Sequence, residues 1–272
     1  MSSGSQGSLV KENALLINSA ILYSLAFVVT FFVNEISLAV TGSLMGLNPV
    51  LYHNKIAFTS LSNDTQLIAF IAGPAASLLF GTAALLISFR IKKLSGNARL
   101  FILWLYINGI TLFLSQVPNL PFENSNDLGK AIGVISISPT ILNLFAVLSL
   151  LLLILLGMYS IKPFLSFAVT SESISTARQR RYFIFKIGII PWLVGAVLSF
   201  PFRVPPLGWE YLILPVSNGM VVVWTYIGAR GIGLNKIDEN GKISGVNYKL
   251  IFIWLFLIII FQLVLRPGIN FY

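Results

Sequence analysis

A single carboxylate lies inside the first long apolar run of the sequence. Glu35 is flanked on either side by the uncharged stretches 14–33 and 36–47. A charged side chain at the centre of a membrane span costs about 2.5–3.5 kcal/mol or more, so Glu35 is a candidate functional residue. Asn34 and Leu38 are four residues apart and share one face of a helix, with Glu35 beside them. This is the spacing of the H-E-x-x-H motif, in which two histidines bind zinc and the glutamate activates water.

Both histidine positions of that motif are filled by other residues here, and only the glutamate remains. The sequence contains no cysteine, which excludes disulfides, thiolate catalysis and cysteine-ligated metals. Its single histidine, His53, excludes any site that needs two imidazoles from one chain. The residue types therefore indicate a motif that has lost its metal site.

The composition is that of a membrane protein. Of the 272 residues, 56% are hydrophobic and only 10% are charged, and the mean hydropathy is +0.87. Soluble domains have about 25% charged residues. The apolar stretches are long and continuous, whereas a β-barrel needs alternating apolar and polar residues. We therefore expect an all-α polytopic membrane protein that forms a single transmembrane domain over residues 1–272.

The apolar stretches predict about seven transmembrane helices. As one helix, the 34 residues of the first stretch would extend about 51 Å, against about 30 Å for the hydrocarbon layer. This stretch is too long for a signal-peptide core, so we expect it to remain as an anchor. Pro74 and Pro191 are expected to bend two of the later helices. The predicted spans are 14–47, 66–89, 100–117, 140–158, 183–200, 211–229 and 250–265.

The segments between the spans carry weaker signals. Asn48-Pro49 ends the first helix, since the residue before a proline disfavours the helical region, and 50–60 is predicted to be extended or a hairpin. We expect residues 1–13 to fray and 160–182 to form a hydrophilic connection. Small residues at a spacing of four predict faces of close helix contact. They are Gly42 and Gly46 in the first span and Gly73, Ser77 and Gly81 in the second.

The basic residues divide unevenly between the two sides of the membrane. The N-terminal segment and the connections 90–99, 159–186 and 230–249 hold 14 of the 18 Lys and Arg residues. The other four are Lys55, Lys130, Arg203 and Arg266. Because positive loops face the cytoplasm, this split predicts a cytoplasmic N-terminus, in the bacterial cytoplasmic membrane, and a first helix that runs outward. The same split explains the net charge of +9 without a nucleic-acid partner. The expected partner is therefore the lipid bilayer.

Three segments, in order, resemble the intramembrane site-2 protease (M50) family. Asn34–Leu38 stands where that family has H-E-x-x-H, and Gly46–Pro49 follows at the expected distance. The segment Ala72–Ser77, with Gly73-Pro74, resembles the Gly-Pro-rich second core helix. The segment Asn119–Gly129 resembles the one that carries the family's third zinc ligand, an aspartate.

The resemblance implies a site-2-protease-like core over residues 14–135, with additional helices in 136–272. It puts the metal ligands at Asn34, Leu38 and Asp127, and the general base at Glu35. Leucine has no lone pair and an asparagine amide is a poor zinc ligand, whereas zinc catalysis needs three protein ligands and a water. We therefore expect no metal, no cofactor and no catalytic residue, but a pseudoprotease that binds a transmembrane segment or another membrane protein without cleaving it. In the family, the H-E-x-x-H helix runs toward the cytoplasm, opposite to the direction that the charge split predicts.

Two other functions remain open. A small-solute or proton-coupled transporter would use Glu35 as its titrating group. An unconventional metal hydrolase would need His53 beside Glu35 and Asp127, with the loop after the first helix folded into the membrane. Both acids also have structural interpretations: Glu35 as a buried carboxyl hydrogen-bonded to Asn34 or a neighbouring helix, and Asp127 as a solvated turn residue beside Gly129.

Overall fold

The chain folds into a helical bundle with one small β-sheet. The structure, a computed structural model, describes residues 3–59, 63–90, 95–120, 126–133, 137–168, 170–205, 212–231, 243 and 245–271. Its helices are α1 (Ser3–Leu44), α2 (Asn63–Arg90), α3 (Gly96–Leu114), α4 (Asp127–Gly133), α5 (Pro139–Leu165), α6 (Ala177–Ile184), α7 (Ile190–Ser199), α8 (Ile213–Gly228) and α9 (Tyr248–Ile260). Its strands are β1 (Pro49–Leu51), β2 (Ile56–Phe58) and β3 (Ile269–Asn270). Glu239-Asn240-Gly241 predicts a turn between the last two spans, and this segment lies outside the described residues.

The described helices confirm an all-α polytopic membrane protein. Six helical segments are long and apolar enough to cross a membrane: Lys11–Leu44, Ile68–Arg90, Gly96–Asn119, Pro139–Leu165, Ala177–Phe202 and Tyr248–Leu265. The predicted span 211–229 corresponds to α8, which is apolar but has only 16 residues. A helix of that length extends about 24 Å, less than the hydrocarbon thickness of about 30 Å. The predicted number of seven therefore depends on this short helix.

The first helix begins earlier and ends differently than predicted. α1 is helical from Ser3, so the helix includes most of the segment 1–13 that was expected to fray. At its other end, Gly46 does not form a helix contact: it has a φ of +72° and nothing within 4 Å of where a Cβ would be. The N–H of Leu47 donates to the Gly42 carbonyl over 2.9 Å, which closes the helix in the way a glycine C-cap does. Gly42 itself faces the ring of Phe58.

The hairpin predicted after the first helix is confirmed. β1 and β2 pair antiparallel, with Val50 opposite Ala57, and β3 adds to the other edge of β1. The hairpin is tied to the rest of the bundle by polar contacts. The Asn54 side chain donates to the Pro205 carbonyl over 2.8 Å, and the His53 backbone N–H donates to the Leu265 carbonyl over 3.1 Å.

α2 makes its closest helix contacts through its small residues. Gly81 meets α3 at Gly109, and Gly73 meets α1, so the predicted contact face of this helix is confirmed. The same spacing also predicts a closely packed interior helix, and this is wrong, because Leu79 and Leu86 on its other faces are exposed. α2 thus lies at the edge of the bundle, whereas α1 and α3 are the most buried of the candidate membrane spans.

The fifth predicted span is distorted immediately before Pro191. A π-helical turn at Phe185–Ile189 joins α6 to α7. It accommodates the loss of one backbone hydrogen bond, because proline has no N–H to donate. The hydrophilic connection predicted at 160–182 is shorter than expected, since α5 continues to Leu165 and α6 already begins at Ala177. Within α6, Arg180 donates to the carbonyls of residues 229 and 230 and so caps the end of α8.

The connections gather at two opposite ends of the bundle. At the end that holds the first half of α1, Asn18 donates to the Gly245 carbonyl over 3.0 Å and Lys186 pairs with Glu12 over 2.9 Å. At the other end lie the hairpin, α4, the segment around Arg203 and β3. We call these the N-terminal end and the cavity end. This alternation agrees with the two sets of connections that the charge split separated.

Candidate functional site

A cavity of about 270 Å³ opens at the cavity end, and all four residues singled out from the sequence line it. Its walls come from the second half of α1, the β-hairpin, α2, the ends of α3 and α8, α4 and the segment after α7. The four residues are Asn34, Glu35, Leu38 and Asp127. Asp127 is some ninety positions away in sequence, so only the tertiary fold brings it to the α1 residues.

Asn34 and Glu35 form a buried hydrogen-bonded pair. The Asn34 side-chain N–H donates to Glu35 Oε1 over 3.4 Å, and the Ser77 hydroxyl donates to Asn34 Oδ1, also over 3.4 Å. Asn34 and Glu35 are only 3% and 7% exposed. The amide of Asn34 therefore uses both of its ends: its N–H bonds to Glu35 within α1, and its oxygen accepts the bond from Ser77 of α2.

The position of the second histidine in the motif is filled by hydrocarbon. Leu38 is 2% exposed and packs against Gly73 of α2. A Cβ atom at Gly73 would lie 2.8 Å from Leu38 Cγ and 2.9 Å from Asn34 Oδ1, so the glycine is what lets the two helices approach here. Close packing of this kind leaves Leu38 as part of the apolar wall.

Asp127 is the first residue of α4 and not a turn residue. Asn126 caps this helix, accepting a hydrogen bond of 2.7 Å from the Gly129 N–H. The Gln116 side chain accepts the Leu128 N–H over 3.0 Å and so anchors α4 to the end of α3. Asp127 Oδ1 lies 3.8 Å from Lys130 Nζ.

Three basic side chains share the cavity with the two acids, and the sequence interpretation did not assign them to the site. They are Lys55, Lys130 and Arg203. Each cation lies over an aromatic ring: Lys55 Nζ is 5.5 Å from the Tyr52 centroid, Lys130 Nζ is 5.3 Å from that of Phe70, and Arg203 Cζ is 4.4 Å from that of Phe31. These are three of the four basic residues that the charge split left outside the cytoplasmic connections. The small number of basic residues outside the cytoplasmic connections was the sequence signal that could have drawn attention to these three.

The electrostatics of the cavity are mixed rather than acidic. The charges that act on Glu35 come from Asp127 and Lys130 of α4 and from Arg203 of the segment after α7. Among the described residues of the lining, three are basic and two are acidic. The cavity therefore offers charged groups of both signs.

His53 does not line this cavity. Its Nε2 atom lies 2.8 Å from the Val204 carbonyl, and the residue is buried in the hairpin turn. The imidazole therefore joins the hairpin to the segment after α7, and it is not beside Glu35 and Asp127 as a metal site would require.

The donor atoms around Glu35 do not fit a zinc ion. Leu38 has none, and the Asn34 amide is committed to Glu35 and Ser77. Within the described ranges, no three His, Cys, Asp or Glu side chains come together in a way that would hold a metal. The arrangement can bind and orient polar groups, but its described residues offer no ligand set for hydrolysis by metal-activated water. Comparison with protein-family models, with curated proteins and with solved structures finds no match to this chain.

Proposed function

We propose that this protein is a non-catalytic, site-2-protease-like membrane protein that binds a segment of another membrane protein in the Glu35 cavity without cleaving it. The observation that carries the proposal is the composition of one cavity. Asn34, Glu35, Leu38 and Asp127 all line it, and the two positions at which the resemblance expects histidine ligands hold an engaged amide and a leucine. A cavity between helices does not need a metal to recognise an apolar or polar segment.

The strand edge beside the cavity supports a peptide as the occupant. Ile56 and Phe58 of β2 line it, and in the described part of the sheet β2 pairs only with β1. An extended segment can add to such an edge through main-chain hydrogen bonds, while its side chains enter the neighbouring pocket. The cations and carboxylates around Glu35 would then pair with polar groups of that segment.

A proton-coupled transporter is the second candidate, and one observation favours it. Glu35 is not alone, because it interacts with Asp127, Arg203 and Lys130 in the same cavity. Transport, however, needs a path to the N-terminal end. In that direction, the bundle is filled by buried aromatic side chains, with Tyr23 and Trp104 fully enclosed and their rings 5.0 Å apart. Binding needs no such path, so it ranks first.

Photo-cross-linking from inside the cavity tests the proposed function. With p-benzoyl-phenylalanine in place of Ile56, we expect a discrete adduct with one membrane protein in living cells, because this side chain lies in the cavity wall. The matched control has the same photo-reactive residue in place of Phe252 of α9, which is 71% exposed on the outer surface of the bundle. Identical adducts from both positions would show that the cavity has no partner of its own.

The proposed orientation has a cytoplasmic N-terminus, following the charge split. A reporter fused after Arg181 is expected to be active as a cytoplasmic reporter, and one fused after Glu123 as an external reporter, because these points lie on connections of opposite sets. A periplasmic phosphatase and a cytoplasmic fluorescent protein at each point make the measurement. The reverse pattern would give α1 the orientation of the H-E-x-x-H helix in site-2 proteases.

A further inference from the structure

A second cleft lies at the N-terminal end of the bundle, far from Glu35. It has a volume of about 260 Å³ and is enclosed by the ends of α2, α3 and α5. On α3 its wall includes Arg99, Leu103 and Tyr106, which share one face because they are spaced by four and three residues. On α5 the wall includes Tyr159 and Lys162, on one face for the same reason.

The polar and apolar parts of this cleft are separated along the membrane normal. α3 begins at Gly96, so Arg99 lies near the end of the bundle and Tyr106 lies about 10 Å deeper. α5 runs the other way, which puts Lys162 closer to the end than Tyr159. Both helices therefore present a cation at the mouth and an aromatic ring further inside.

The mouth is built to receive an anion. Arg99 is half-buried, its Nη2 atom donates to Ser166 Oγ over 3.3 Å, and its Cζ atom is 5.7 Å from the Phe167 centroid, so the guanidinium is held in place. Lys162 is exposed beside it. Among the described residues that line the cleft, none is an Asp or a Glu, in contrast to the Glu35 cavity.

The aromatic side of the cleft is open at the surface of the bundle, where lipid would lie. Phe89 and Tyr159 are 54% and 41% exposed, and their rings contact each other with centroids 5.8 Å apart. We propose that this cleft binds one anionic phospholipid, with its phosphate at Arg99 and Lys162 and an acyl chain along the aromatic wall. A phosphate group is the shared chemistry of a lipid and a soluble phosphate ester. The apolar wall below the cations assigns the site to the lipid.

Lipid retention by the purified, delipidated protein tests this assignment. After incubation with phosphatidylglycerol or with phosphatidylcholine of the same acyl chains, lipids bound per chain are counted by native mass spectrometry. We expect one phosphatidylglycerol to be retained at concentrations where phosphatidylcholine is not. The double variant Arg99→Gln/Lys162→Gln should bind it about 20–30-fold more weakly, since each basic residue contributes roughly a factor of five. Arg178→Gln, an exposed arginine of α6 outside the cleft, should bind it like the wild type.

Two other results would overturn the proposal. Equal retention of both lipids by the wild type would show that the charge of the headgroup is not recognised, and this comparison needs no variant to fold. Displacement of phosphatidylglycerol by an equal concentration of glycerol 3-phosphate would show that the cleft takes a soluble phosphate ester instead. Persistence of binding without displacement is the expected outcome.

Discussion

Gly81→Val is expected to destabilise the protein by about 3 kcal/mol, because α2 and α3 are in backbone contact at this point. A Cβ atom at Gly81 would lie 2.6 Å from the Ile110 backbone nitrogen, and one at Gly109 would lie 2.6 Å from Gly81 Cα. Neither neighbour is the end of a flexible side chain, so the helices themselves must separate. In detergent, the apparent melting temperature should fall by about 6–12 °C.

Gly231→Val is the matched control for this change. It makes the same substitution at a glycine with nothing within 4 Å of the added Cβ, so the melting temperature should stay near that of the wild type. If Gly81→Val has the same melting temperature as the control, α2 and α3 do not cross at Gly81 and Gly109. The wall that α2 contributes to the Glu35 cavity would then also be misplaced.

Restoring the missing histidines should turn the Glu35 cavity into a zinc site. Asn34→His and Leu38→His together would supply two imidazoles four residues apart on α1, and Asp127 lines the same cavity as the third ligand. We expect the wild type to purify with well below one zinc per chain, and the double variant with about one, because three protein ligands and a water satisfy zinc. Elemental analysis after dialysis against trace zinc makes the measurement.

The control adds Asp127→Asn to the two histidines, which should return the zinc content toward the wild-type level. Asn34→His alone should also bind little zinc, because it leaves two protein ligands at most. If the double variant folds but gains no zinc, Asp127 is not placed to coordinate with the α1 positions, and the resemblance to the protease core is wrong there. A wild type with one zinc per chain that is lost on Asp127→Ala would contradict the non-catalytic account.

The sequence predicted those features that depend on neighbouring residues. Asn48-Pro49 predicted the end of the first helix and the hairpin that follows, because proline restricts the residue before it. Asn34 is one of the two hydrogen-bond partners expected for the buried Glu35 carboxyl. The structure has this hydrogen bond, and the two residues are adjacent on α1. The contact face of α2 followed from the spacing of its small residues.

The features that the sequence missed depend on contacts between distant segments. Lys55, Lys130 and Arg203 come from three separate connections, and no local pattern places them in one cavity. The same four-residue spacing predicted a helix contact at Gly46, but there glycine serves instead as a helix cap with positive φ. The pattern of small residues is the same in both cases, and only the end of the helix distinguishes them.

The most direct test of the non-cleaving account is the length of the partner captured from the Ile56 position. The cross-linked protein is identified and tagged at both termini. Its length is then compared in cells that carry the wild type, Glu35→Gln or no copy of this protein. We predict one full-length species in all three, because the described residues of the Glu35 cavity provide no set of three metal ligands for hydrolysis. Glu35→Gln should still give the adduct, since the amide keeps the shape of the side chain and can still accept the Asn34 hydrogen bond. A shorter species that appears with the wild type and disappears with Glu35→Gln would contradict the account and identify the protein as a hydrolase.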